Sequence, residues 1–492
     1  MTFSAAASSS KRIMICADHG LALVYFLQTD VAPTLLDSGA EIVLLTEDGV
    51  AERVRQRFSH LPITVEGMRL AAARTYERRA FDLQWWIHFL RRVGGSRRIN
   101  TRAMDSYVDQ VVVEISPRQV PVLPLALALR FFLRRSAKCR RTLVRAQRPF
   151  TPHIYDDLFD RYTPALVVGS TPGWRYDRYL LRQAAARSIR TASVVVGWDN
   201  PSSYSLPGAS VEDITCWSDI QKEELVLGSD WDPGHVHVGG IPIYDGYLRK
   251  QWVLSREEYF RLHGLDPHRK LLSYACSFVS FSPNYQNVEA LADLVASDGL
   301  GEPCQLLVRL HPNHFWDNWL FADERERIYR LARERAHVHV IEPVPIGGEL
   351  GYYSGEDMPE KASMMAHADV FLTVYSTMVV EAALHDRPIV SVCIDARRGW
   401  GYTRRSYLRK YSLPLSRIGD WPTHDRFRRS GAGRVVFNKD ELAQAVAAYL
   451  REPERDQDAR RAFVKREVTF TDGTAGRRTA HILLSLLDGV RV

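Results

Sequence analysis

No stretch of this 492-residue chain stays apolar for the ~18 to 20 residues that a membrane-spanning helix needs, so no spanning helix is expected. The opening MTFSAAASSS has no apolar h-region. It reads as a disordered start over residues 1–10, without a secretory signal. Cysteine is scarce: Cys16, Cys139, Cys216, Cys276, Cys304 and Cys393 stand apart, with no CxxC pair. Several lie in apolar strand-like runs, which argues for buried thiols over bridges or zinc ligands. Short-period repeats are missing, and no low-complexity tract follows the first ten residues, so solenoid and linker architectures are not expected. Together these absences describe a cytoplasmic globular protein.

Acidic residues are scarce in one place. The chain carries a net charge of +7, yet from Gln84 to Phe150 thirteen Arg and one Lys face only Asp105, Asp109 and Glu114. One segment therefore holds the basicity, and the remainder is mildly acidic. At 46% hydrophobic and 25% charged, the chain can fill the cores of two or three domains.

What is present is an alternation of strands and helices. RIMICADHG is a buried-strand pattern ending in a polar turn, followed by an apolar-periodic helix from Leu21 to Ser38 and the strand EIVLLTED. The alternation resumes at ALVVGS, TASVVVGWDN, DITCWS and HVHVGGIP. A second series runs through KLLSYACSF, CQLLVRLHP, HVHVIEPV, DVFLTVYS and RPIVSVCID. Strand–helix–strand repetition implies parallel sheets. The reading is α/β, with two tandem doubly wound, Rossmann-like domains facing a cleft. The expected divisions are residues 11–245, 246–465 and a returning C-terminal helix in 466–492, with a basic helical insertion over 84–150 in the first domain.

Within that insertion, Trp85, Trp86, Phe89 and Leu90 share a helical face beside Arg91 and Arg92, and PLALALRFF precedes RRSAKCRR. Such an element can lie in an anionic membrane interface. It can equally be an ordinary helical insertion packed on its own domain. Nucleic-acid binding is not expected, because no stacking platform or recognised motif accompanies the charge.

HADVFLTVYSTMVVEAALHDRPIV places Ser376, Thr377 and Glu381 at the carboxyl end of a buried strand. Ligands of open α/β sheets bind there, and a helix start offers free N–H groups to phosphate. Helix capping is the competing explanation. However, Glu381 falls four residues after Thr377, and a capping box needs its acid at three.

GGIPIYD, VIEPVPI, the Ser376–Glu381 unit with Arg387-Pro388, and REVTFTDGTAGRR together resemble GT-B glycosyltransferases. RLHP (Arg309 to Pro312) and Asp472, Gly473, Ala475 and Arg478 add to this. The second half is similar to the CDP-glycerol glycerophosphotransferase and surface-polysaccharide transferase families. The likeness spans roughly Gly239 to Arg478. It implies a nucleotide-activated donor in the second domain. Glu381 would contact the ribose, and Ser376 and Thr377 the diphosphate. The backbone from Ile341 to Val344 would read the base, and Arg309 and His311 would neutralise phosphate. It also implies an acceptor in the first domain, with a catalytic base on an early loop. His19 suits that role because a histidine's ordinary pKa lies near neutrality, and Asp18 is its rival. Asp199 and Asn200, in a WDN turn, are candidates for holding acceptor hydroxyls. The HGT-type motif of the glycerophosphotransferases is absent at this place, which weighs against a glycerol-phosphate donor.

Asp230-Trp231-Asp232 has the DxD pattern of metal-dependent transferases, but it lies in a helix-to-strand loop where Asp serves turns. No metal and no cofactor are expected. The expected activity is transfer of a sugar from a nucleotide diphospho-sugar to a glycan or lipid-linked acceptor, in the cytoplasm or on the inner face of the membrane. Alternatives are a CDP-polyol phosphotransferase, a sugar-nucleotide 2-epimerase whose usual opening motif is absent, and a non-catalytic polysaccharide-assembly partner.

Overall fold

The computed structural model describes residues 11–79, 81–277, 284–317, 319–394 and 415–490; the start expected to be disordered, 1–10, lies outside them. β1 (Arg12–Cys16), β2 (Glu41–Thr46), β3 (Thr64–Gly67), β4 (Leu166–Gly169), β5 (Arg190–Val194), β6 (Asp213–Cys216) and β7 (Val236–Val238) form one parallel sheet, ordered β3-β2-β1-β4-β5-β6-β7. A second parallel sheet is ordered β10-β9-β8-β13-β14-β15. It is built from β8 (Lys270–Ala275), β9 (Cys304–Arg309), β10 (Val338–Ile341), β13 (Val370–Thr373), β14 (Ile389–Val392) and β15 (Arg434–Val436). The central strands are apolar along their length because helices cover both faces. The strand order reverses between β1 and β4 and again between β8 and β13. At each reversal the outgoing connections diverge and open a crevice at the carboxyl edge.

The two domains interlock. One buried apolar cluster continues from Ile13 and Leu44 of the first sheet, through Tyr247 and Trp252, to Phe371 of the second sheet and Val380 of the helix that follows it. The helix Ala475–Leu487 packs on the helices Val31–Asp37 and Pro242–Leu248. Asp245, almost wholly buried, accepts from the N–H groups of Ala475 and Gly476 at 3.0 and 2.7 Å. This contact joins GGIPIYD to DGTAGRR, and Arg478 closes it by donating to the Gly239 carbonyl and to Asp472.

Several local expectations change. The helix expected over Leu21 to Ser38 is two helices, Gly20–Leu27 and Val31–Asp37. Pro33 has no N–H, and its ring crowds the carbonyl four residues back, so it is accommodated only in the first turn of a restarted helix. Between the two series of strands lie the helices Pro242–Leu248 and Arg256–His263, the first of them starting within GGIPIYD. An antiparallel hairpin of β11 (Pro345–Gly347) and β12 (Tyr352–Tyr353) reaches from the second domain onto the first. There Tyr352 Oη donates to the Ala17 carbonyl at 2.7 Å. The Glu47 carboxylate accepts from the N–H groups of Glu349 and Leu350, each at 2.9 Å.

The basic insertion is helical: Phe81–Val93, Arg102–Glu114, Leu123–Leu133 and Ala137–Arg145. Its aromatic face does not look outward. Trp86, Phe89 and Leu90 are buried against Val108, Val111, Ala126 and Leu133. Arg91 is buried and donates to the carbonyls of Tyr204 and Leu206. Asp230, the first acid of the DxD pattern, is held by Arg140 through two contacts of 2.6 and 2.7 Å, and Asp232 accepts from the Gly234 N–H.

Candidate functional site

The site grows from two strand ends of the second domain. β9 ends at Arg309, which is 6% exposed and ion-paired with Asp357, the residue preceding the helix Met358–His367. Its other terminal nitrogen, Nη1, is buried without a hydrogen-bond partner among the described residues. A guanidinium nitrogen in that condition is costly unless a ligand supplies the acceptor. β13 ends at Thr373, and Tyr375 then takes φ +37°, a left-handed turn that sets Ser376 and Thr377 at the start of the helix Met378–Leu384. Ser376 Oγ accepts from the Met378 N–H at 3.2 Å, whereas the Thr377 hydroxyl makes no capping bond.

One turn on, Glu381 is 5% exposed. Its Oε2 receives Tyr247 Oη at 2.7 Å and lies 2.7 Å from Lys361 Nζ. Burial, reinforced by the carboxylate, pushes the Tyr247 phenol well up, so it remains the donor. A carboxylate has about four acceptor positions, and the pair leaves capacity for a ligand hydroxyl.

These groups line a cavity of 190 Å³ whose far wall is Leu21 and Val24 of the first domain and Tyr353 of the hairpin. The close approach depends on Gly20, where a Cβ would stand 2.1 Å from the Gly351 carbonyl oxygen. A second cavity of 190 Å³ shares His311, Ser376 and Thr377 with the first and extends toward the first domain. Its walls are aromatic: the Tyr375 and His424 rings are 4.8 Å apart, and Trp198 meets His424 edge-on at 6.3 Å. Asp199 opens onto it. Burial raises its carboxyl pKa, and Ser203 Oγ donates to it at 3.0 Å.

Arg309, His311, Ser376, Thr377 and Glu381 therefore converge on one cavity, and Asp199 on its neighbour. The other candidates do not join them. Asp18 is fully buried, its oxygens taken by Ser170 Oγ at 2.8 Å and the Asp177 N–H at 3.0 Å, beneath the hairpin tyrosine. His19 precedes the helix Gly20–Leu27, lines neither cavity, and burial lowers its pKa well below the usual range. Asn200 is used locally, accepting from the Gly197 N–H at 2.8 Å. The Ile341 carbonyl accepts from the Leu310 N–H, and both backbone groups of Val344 are taken by Asp357 and Ser354. Ile341 is thus tied to the end of β9, and Val344 to Asp357 and the residue after the hairpin. Burial lowers His311 to about 3, so its imidazole lines the cavity in its neutral form near pH 7.

Sequence reasoning missed Lys361, Tyr247 and Asp357. The signal for Lys361 was a lone cation in MPEKASMMAHADV, on a helix that otherwise buries Ala362, Met364 and Met365.

No family model matches the chain, and no curated protein matches it. Solved structures do. A Listeria monocytogenes protein assigned as a UDP-N-acetylglucosamine 2-epimerase is 11% identical over 98% of both chains, with a TM-score of 0.52. MnaA from S. aureus, in a co-structure with UDP, is 12% identical over 97% of both, also at 0.52. A UDP-N-acetylglucosamine 2-epimerase from Rickettsia bellii is 10% identical over 97% of both, at 0.50. At such identities the likeness shows the fold: two Rossmann-like domains in the GT-B arrangement. The narrower likeness to CDP-glycerol transferases finds no counterpart among these three.

Proposed function

We propose that the protein is an enzyme that binds a nucleoside diphospho-sugar in the cleft and transfers the sugar to an acceptor hydroxyl. The observation that carries this reading is the buried, unpartnered Nη1 of Arg309, in a cavity that also holds the Ser376–Thr377 helix start. A guanidinium fork beside the Ser376 and Thr377 hydroxyls suits a diphosphate, and Glu381 would take a ribose hydroxyl. The adjoining aromatic cavity gives a second ligand its own place. Asp199, with its raised pKa, is the base we assign in place of His19 or Asp18. Its carboxylate takes the acceptor proton, and the acceptor oxygen attacks the anomeric carbon. The bond from that carbon to the diphosphate oxygen breaks, and its electron pair leaves with the nucleoside diphosphate toward Arg309. The acceptor would be a glycan or a lipid-linked glycan met at a membrane surface.

A second reading, epimerisation of the sugar while nucleotide-bound, draws on the fold shared with the 2-epimerases. One experiment separates them. Thermal shift with UDP, GDP and CDP identifies the nucleotide, and the matching sugar nucleotides are then incubated with and without membrane lipid extract. Transfer predicts nucleotide release that depends on acceptor and falls at least about a hundredfold in Asp199→Asn with nucleotide affinity kept. An epimerised sugar nucleotide formed without acceptor would establish the second reading. No shift with any nucleotide would sink both and favour a binding protein.

A further inference from the structure

The helix Leu123–Leu133 buries Ala126 and Leu133 against the rest of the insertion and leaves an adjoining face bare. Val122, Leu125, Leu129 and Phe132 are 39, 61, 44 and 59% exposed. At 100° per residue these four fall within one narrow stripe. Scattered apolar residues on a surface need no explanation, but a contiguous stripe does. The surrounding charge has one sign. From Ile115 to Phe150 there is no acidic residue, and Arg118, Arg135, Lys138, Arg141, Arg145 and Arg148 are all exposed.

Beside the stripe lies a cavity of 580 Å³ lined by Arg97, Arg102, Arg130, Arg134 and Arg135, with Asp105 its one acid. Asp105 receives both Arg130 and Arg134. The Nε atoms of these two arginines are nevertheless buried without hydrogen-bond partners among the described residues. Arg135 stacks on Phe131, which lines the cavity and meets Phe132 of the stripe edge-on at 5.5 Å, so the cationic and apolar features are continuous.

We propose that this face is a docking site for an anionic lipid surface, with the stripe entering the headgroup layer and a lipid phosphate held in the arginine cavity. The cavity has cations in excess and orphaned donors, which a phosphate satisfies. A second copy of the chain fits poorly, because a two-fold contact through this face would set its arginines against each other. The proposal does not depend on the nucleotide site, so vesicle binding and nucleotide binding can fail separately.

The test is co-sedimentation with phosphatidylcholine vesicles, with and without phosphatidylglycerol, using the full chain. Binding to the anionic vesicles should exceed binding to neutral ones by at least about tenfold and weaken with salt. Leu125→Asp with Phe132→Asp, and separately Arg102→Glu with Arg135→Glu, should each cost about tenfold or more. All four positions are exposed. An unchanged melting temperature and nucleotide shift establish that the variants are folded. Arg134 and Arg140 are unsuitable for this test because they are tied to Asp105 and Asp230. Equal binding to neutral vesicles, or none to anionic ones at low salt, overturns the proposal. So does self-association that both variants abolish without any vesicle binding. Displacement by inorganic phosphate beyond that by chloride at equal ionic strength would assign the cavity to a free anion instead.

Discussion

At the scale of single residues, the pair Lys361–Glu381 carries the most weight. Both side chains are largely buried, so removing one partner strands the other. Glu381→Ala is expected to lower stability by ~3 to 5 kcal/mol, and Lys361→Met with Glu381→Leu to recover most of that. Nucleotide affinity should not recover, because the acceptor for the ribose is gone. Urea unfolding and calorimetric titration of both variants check this. If the double variant regained affinity, Glu381 would be a structural residue only. The Glu381 position was legible because a strand end, a hydroxyl pair and a helix start are all local. Its partners were not. Tyr247 and Lys361 come from helices whose facing side depends on how the domains meet. His19 and Asp18 misled for the same reason, since the hairpin that covers the β1 end belongs to the other domain.

At the scale of elements, the parallel strands were legible because strands buried on both faces are near-continuous apolar runs. The hairpin was not, because two short strands among glycines carry no period. The DGTAGRR segment was recognised as a motif, but its role was not: it starts a helix whose cap comes from the distant Asp245. Asp245→Ala leaves two N–H groups unsatisfied and should cost ~1 to 2 kcal/mol of stability. Asp245→Asn, which keeps one acceptor, should cost less. Matching urea midpoints for the wild type and both variants would show that the contact contributes nothing to holding the C-terminal helix on the first domain.

At the scale of the whole molecule, burial of histidine couples stability to pH. Burial lowers the pKa of His19, His88, His339 and His367, and lowers His311 and His424 to about 3 and His385 to about 4. Unfolded, each would titrate near 6.5. Below that pH the unfolded chain binds protons that the folded chain refuses, so stability falls as pH falls. Each histidine contributes about 1.4 kcal/mol per pH unit until its folded pKa is reached. Buried carboxyls act oppositely. Glu224, raised to about 7, is protonated only in the folded state between about 4.5 and 7, and Asp177, Asp199 and Asp245, all raised by burial, add in the same sense. Seven histidines against these four leave a net loss of stability on acidification between about pH 6.5 and 5. His311 and His424 both line the aromatic cavity, and both stay neutral there in the folded protein across this range. Urea midpoints should therefore be level near pH 7.5 and drop steadily from pH 6.5 to 5. His424→Gln, which cannot take up the proton, should flatten that drop by about one proton's worth. A midpoint that stayed level or rose on acidification would mean that these imidazoles are protonated in the folded protein, and that the cavity is open to water.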